Sequence, residues 1–400
     1  MQLVAFGAQD VYLTGSPQVT YFRSTYRRHT NFSCEPIEQT FSGPVDFGRK
    51  ANLTVSRNGD LISKMYLQVT LPDLVINNAS TGDLTVTAGW QPYVGLRLIN
   101  YIEVELGGQR MDKHYGEWML IWHELTCDAG KQDGYDTMTG AALYESVTIS
   151  GSGSHTISGS DLYIPIEFWF TQDSGLALPL IALQYHELKV SVDFNDFDDC
   201  TYTDDSTGNI TFTSASLDDA SLMVDYIYLD TDERRRTAQY KHETIITQLQ
   251  HTGSETLTAG SNRFTLQFNH PCKELVWVCS GDSAATWNDF SDQASGNPVT
   301  LARLQLNGHD RLSERAGDYF SLVQPYQHHT NVPTSPGINV YSFALYPENA
   351  SQPSGSCNMS RIDNAVLNMT SSVSGTCNIY ATSWNVLRVL SGMGGLAYAN

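Results

Sequence analysis

The chain has 400 residues, 23 basic and 43 acidic side chains, and a formal net charge of −20. That length corresponds to about two domains, since all-β units run long. The acidic balance argues against a surface that tracks nucleic-acid phosphates, and no direct nucleic-acid contact is expected. Charged residues make up only 16% against a usual figure of about 25%, so the polarity comes from Ser, Thr, Asn and Gln. This suits a β-rich fold with long polar loops. The opening Met1 to Asp10 has no basic n-region, and the longest apolar run, Leu176 to Leu183, is broken by Pro179. A bilayer span needs roughly 18–20 apolar residues, so a soluble, non-secreted chain is expected. Seven scattered cysteines without a C-x-x-C pair fit reduced thiols, most of them small core residues.

In chain order, the segment from Met1 to about Arg23 precedes the first predicted strand. Alternating apolar residues then mark half-buried strands at Leu61–Val69, Tyr101–Leu106, Leu188–Phe194 and Arg263–Phe268. Polar stretches at Asn77–Gly89, Ser150–Ser160, Asp198–Asn209 and Ser280–Asn297 read as long loops. Helical spacing is rare. Trp118, Ile121, Trp122 and Leu125 follow it, and Tyr319, Leu322 and Val323 begin it. A third helix is predicted from Thr231 through Lys241, with acids early and bases later as the helix dipole favours. Its Arg234-Arg-Arg236 run is expected to make salt bridges between the two halves of the molecule.

A diverged internal duplication organises the rest. The first half runs from Ile102 through Gly107-Gly108 to Gly116 and Trp118; the second runs from Leu301 through Asn307-Gly308 to Gly317 and Tyr319. Ile37-Glu-Gln39 resembles Ile246-Thr-Gln248, and the segments Ile164–Phe170 and Leu188–Phe194 have counterparts in Val340–Leu345 and Ala365–Met369. The predicted fold is therefore all-β: two tandem eight-stranded antiparallel jelly-roll barrels, a double jelly roll, with a few short helices. The expected divisions are an N-terminal arm over 1–24, a first jelly roll over 25–230, a linker helix over 231–243 and a second jelly roll over 244–400.

No catalytic, cofactor-binding or metal-binding residue is predicted. Adjacent His328 and His329 would face opposite sides of a strand, with no nearby spaced carboxylate, and are expected to be loop or edge contacts. His186-Glu187 and His123-Glu124 are expected to place one member of each pair outward. No G-x-S-x-G, Walker A, G-x-G-x-x-G or H-E-x-x-H pattern occurs, so no enzyme class is supported. Among several sequons, Asn78 and Asn209 lie in long polar segments and are the candidate glycan acceptors.

Several blocks resemble a known family. Gly7–Gly15, Tyr26–Phe32, Leu229–Arg236, Gln352–Asp363 and Asn385–Tyr398 are similar to stretches of the major capsid proteins of nucleocytoplasmic large DNA viruses, the group including phycodnaviruses, iridoviruses and mimivirus relatives. The resemblance implies a double jelly-roll homotrimer forming a pseudo-hexagonal capsomer of an icosahedral capsid, without cofactors. It further implies neighbouring capsomers, minor capsid and penton proteins as partners, and inner-membrane-side contacts through the N-terminal arm. A virion location follows from it, with assembly in the host cytoplasm. Two other readings stay open: a virion carbohydrate-binding or host-attachment protein on the same barrels, and a cupin-like metalloenzyme.

Overall fold

The computed structural model describes residues 7–282, 286–292 and 296–398. Part of the predicted Ser280–Asn297 loop lies outside them. In the first half, one sheet pairs Phe32–Thr40, Asp219–Leu229, Leu61–Thr70 and Asp161–Ile166 in that order, with the short Leu178–Pro179 strand also on Leu61–Thr70. The second sheet pairs Lys50–Thr54, Leu188–Phe194, Ile99–Leu106 and Gln109–Tyr115. Numbering these eight principal strands along the chain gives orders 1-8-3-6 and 2-7-4-5. The second half repeats both orders: His242–His251, Gly375–Leu390, Pro271–Gly281 and Ile338–Ser342 in one sheet, and Gly260–Leu266, Ala365–Ser371, Val299–Leu306 and His309–Ala316 in the other. All pairings are antiparallel, as the predicted double jelly roll requires.

The aligned glycines carry equivalent loads. Gly107 and Gly108 turn with φ of 59° and 84°, and Asn307 and Gly308 with 51° and 80°. Two successive residues at positive φ match the right-handed twist of a hairpin, which explains the Gly or Asn at each place. After each hairpin a glycine lets the chain pass close to backbone: a Cβ on Gly116 would lie 2.1 Å from the Leu96 carbonyl oxygen, and one on Gly317 would lie 1.8 Å from that of Val299.

Helix Gly116–Thr126 forms where expected, with Trp118, Ile121, Trp122 and Leu125 all buried. The segment after Tyr319 is a π-turn, Tyr319–Val323, continuing into Gln324–His328. The wider turn rotates the faces, so the 3.6-residue pattern fails there. Phe320, Ser321, Gln324 and Pro325 point inward, whereas Leu322 and Val323 are exposed.

Helix Thr231–Gln239 stands between the last strand of the first barrel and the first of the second. Its predicted bridging role is corrected: Arg234 Nε meets Asp60 Oδ1 at 2.9 Å on the first barrel. Among the described residues no ion pair ties Arg235 or Arg236 to the second.

Three of the predicted loops contain strands. Leu84–Trp90 pairs with Thr201–Thr203 and Tyr144–Ile149; Leu74–Asn78 pairs with Ile210–Phe212 and Ser154–Ile157. The polar stretches thus form two small three-stranded sheets on the first barrel. Within them Asn78 is 3% exposed, and its Nδ2 donates to the carbonyls of Gly82 and Ile149. That nitrogen is occupied and covered, which corrects its reading as an accessible glycan acceptor.

The barrels share apolar packing. A cluster centred on the first barrel extends to Val276, Val278, Ile338, Val340 and Tyr380 of the second, while Leu275, Trp277, Cys279 and Ile379 fill the second barrel's own interior. The larger sheet of the second barrel is therefore covered on both faces, and every residue from Cys272 through Cys279 is buried.

Candidate functional site: the seam between the barrels

Helix Gly116–Thr126 leaves the first barrel and lies against strand Gly375–Leu390 of the second. Trp118 stacks on Trp122 at 5.6 Å and tilts onto Tyr380 at 5.2 Å. One residue earlier, Glu117 Oε2 accepts from Asn378 Nδ2 at 2.6 Å and from Tyr380 OH at 3.2 Å. Burial raises the Glu117 carboxyl to about 7, against the lowering effect of those two donors. It borders a cleft of about 480 Å³ between the barrels, lined also by Arg97, His251, Trp287 and Asn378.

Further bonds cross the seam along its length. Leu249 N donates to Asp112 Oδ1 at 3.1 Å, and the Gln248 side chain reaches the Met111 carbonyl. Trp287 Nε1 donates to the Pro92 carbonyl at 2.5 Å. At the far end the C-terminal strand Met393–Leu396 hooks onto the first barrel, where Tyr185 N donates to the Gly392 carbonyl at 2.9 Å and the His186 ring bonds the Gly394 carbonyl at 2.8 Å. Two barrels joined by apolar packing and this many oriented bonds form one tile.

The histidine pairs singled out in the sequence fall on or beside this seam. His186 makes the contact just described, while Glu187 faces out as predicted. His123 is buried, stacked on Tyr135 at 3.4 Å and bonded to Gln132; desolvation lowers it to about 4. Glu124 accepts from Thr334 N and Oγ1 of the second barrel, so neither member of that pair points freely outward.

His328 Nδ1 contacts the Leu345 carbonyl, a loop contact as expected. His329 differs: its side chain is 0% exposed, with Nε2 at 2.9 Å from Glu274 and Nδ1 at 3.0 Å from Glu348. Burial alone would lower it, but the two carboxylates outweigh that and raise it to about 9. Both ring nitrogens are engaged by carboxylates, so this is a buried ion-pair triad rather than an edge contact. Among the described residues no group of three or more His, Cys, Asp and Glu side chains is arranged to hold a metal.

Two surfaces present apolar side chains to solvent. On the arm and just after it, Tyr12, Tyr21, Phe22 and Tyr26 are each about nine-tenths exposed or more. Beside the π-turn of the second barrel, Leu322, Val323, Tyr326, Leu345 and Tyr346 are exposed. Sequence reasoning missed the second surface because the helical spacing there implied burial.

Two family descriptions divide the chain between them. "Major capsid protein N-terminus" matches residues 20–230, and "Large eukaryotic DNA virus major capsid protein" matches residues 233–395. The major capsid protein of Pyramimonas orientalis virus is 48% identical over 425 residues, covering 100% of this chain and 99% of its own. That of Paramecium bursaria Chlorella virus 1 is 40% identical over 457 residues, with the same coverage. The crystal structure of PBCV-1 VP54 superposes with a TM-score of 0.78 at 34% identity, covering 95% of this chain and 100% of that one. The chain belongs to the major capsid proteins of large eukaryotic DNA viruses, as a structural subunit of the virion's shell and not an enzyme.

Proposed function

We propose that the shell subunit works as a homotrimer, with barrels 25–230 and 244–400, joined by 231–243, repeated three times around one axis to make a six-cornered capsomer. The observation that carries this reading is the identical strand order of the two barrels within one joined tile. Three such chains present six similar barrels, and near-equivalent edges let one tile meet its neighbours on every side. The exposed apolar set around Tyr326 and Tyr346 supports burial in an assembly, because obligate interfaces commonly bury more than about 2,000 Å² and exposed apolar patches mark contact sites.

The two small sheets built from Leu74–Trp90, Tyr144–Ile157 and Thr201–Phe212 form the outward tower of the capsomer, where Asn209, whose Nδ2 donates to Thr207 Oγ1, is the remaining candidate glycan acceptor. The arm over 1–24 contacts minor capsid proteins on the inner-membrane side, penton proteins close the vertices, and assembly takes place in the host cytoplasm. Absolute mass by light scattering across a dilution series tests the trimer. A species near three times 44.3 kDa that persists on dilution supports it. A persistent monomer overturns the preformed capsomer.

A further inference from the structure

All four cysteines of the second barrel fall into two cross-strand pairs on strand Pro271–Gly281. Cys279 lies directly opposite Cys377, and Cys272 directly opposite Cys357. The cysteines of the first half lack this arrangement: Cys34 faces Ile227, and Cys127 and Cys200 lie outside strands. Opposed residues of antiparallel strands have Cα atoms about 4.5–5.5 Å apart, inside the roughly 4.4–6.8 Å that a disulfide spans. Their side chains leave the same face, and the Cys279 and Cys377 sulfurs stand 3.6 Å apart. Rotation about the Cα–Cβ bonds is the motion that brings the two sulfurs from there to a bond of about 2.05 Å.

We propose that Cys279 and Cys377 are a latent disulfide site, closed by a peroxide-class oxidant that cross-links the two central strands of the second barrel's larger sheet. The pair is buried at 0% exposure, so a bulky thiol such as glutathione has no room to form a mixed disulfide, whereas hydrogen peroxide is close to water in size. One thiolate attacks a peroxide oxygen and the O–O bond breaks, leaving a sulfenic acid and a hydroxide that leaves as water after taking up a proton. The second sulfur then attacks the sulfenic sulfur, the S–O bond breaks, and a second water leaves with the second thiol's proton. Two thiols are oxidised by one peroxide, and nothing else is consumed.

Proximity directs the outcome. A sulfenic sulfur at either position has its partner within 3.6 Å, so condensation precedes further oxidation. Hydrogen bonding of the Cys377 S–H to the Cys279 sulfur, together with burial, holds the Cys377 thiol well above its ordinary range, so the attacking thiolate is scarce and the bond forms slowly. The bond would join positions 279 and 377 and restrict the unfolded chain over the long segment between them, stabilising the tile once it leaves a reducing compartment.

The test treats the purified full-length protein with hydrogen peroxide, quenches with an alkylating reagent in denaturant and maps the peptides by mass spectrometry. Exposed Cys34 serves as the internal clock. Expected is a Cys279–Cys377 linked peptide lighter by two hydrogens, formed more slowly than Cys34 reacts. It should come with an upward shift of the urea midpoint that a reductant reverses and that C279S lacks. Recovery of both thiols in alkylated form after prolonged exposure, long past complete oxidation of Cys34, overturns the proposal, as does linkage confined to Cys272 and Cys357.

Discussion

Replacing Glu117 by Gln isolates the electrostatic cost of the seam. The side chain keeps its length, and a single amide oxygen can accept both bonds that Oε2 now accepts from Asn378 and Tyr380. The carboxyl titrates at about 7 in the fold against 4.5 for the free group. Because the folded value is raised, its favourable contribution is present below 4.5 and is lost as pH rises through 7. At about 1.36 kcal/mol per pH unit that gap amounts to about 3 kcal/mol, and water in the adjoining cleft screens part of it, leaving about 2–3 kcal/mol. E117Q should therefore match the wild type near about pH 4.5 and exceed it by about 2–3 kcal/mol near about pH 8. Urea denaturation of both proteins across this range measures the difference, in which all other titrating groups cancel. Parallel stability curves for the two proteins would show that Glu117 is not desolvated by the contact and would refute the reasoning.

H329Q should cost about 3 kcal/mol near neutral pH, because it removes the charge that two buried or half-buried carboxylates face. The raised folded value places that contribution fully below 6.5, and it should fade as pH rises through about 9; a pH series of denaturation midpoints reads this. W118A empties the centre of the seam and should lose about 3–5 kcal/mol in the same assay. Gly317→Ala should prevent folding or lower the melting temperature sharply, since its Cβ would overlap the Val299 carbonyl oxygen at 1.8 Å. Deleting residues 1–23 should leave folded trimers by light scattering but impair shell assembly by electron microscopy. Loss of soluble trimer would count against the arm's proposed role.

The sequence by itself determined the features that depend on neighbours along the chain. Hairpins Gly107-Gly108 and Asn307-Gly308 demand positive φ, a glycine follows each at 116 and 317 with one insertion between the copies, and the apolar row of Gly116–Thr126 has a helical period, so the repeat and the two barrels were readable. The resemblance carried the family, because its blocks run in order over nearly the whole chain. Tertiary structure decided what depends on distant partners. Leu74–Asn78 becomes a strand through pairing with Ile210–Phe212 and Ser154–Ile157, which its polar composition does not announce. Whether Leu322 faces in or out rests on one wider helical turn. Glu117 and His329 are unremarkable letters until Asn378, Tyr380, Glu274 and Glu348 enclose them, because desolvation and charge pairing are properties of surroundings that folding assembles from far along the chain.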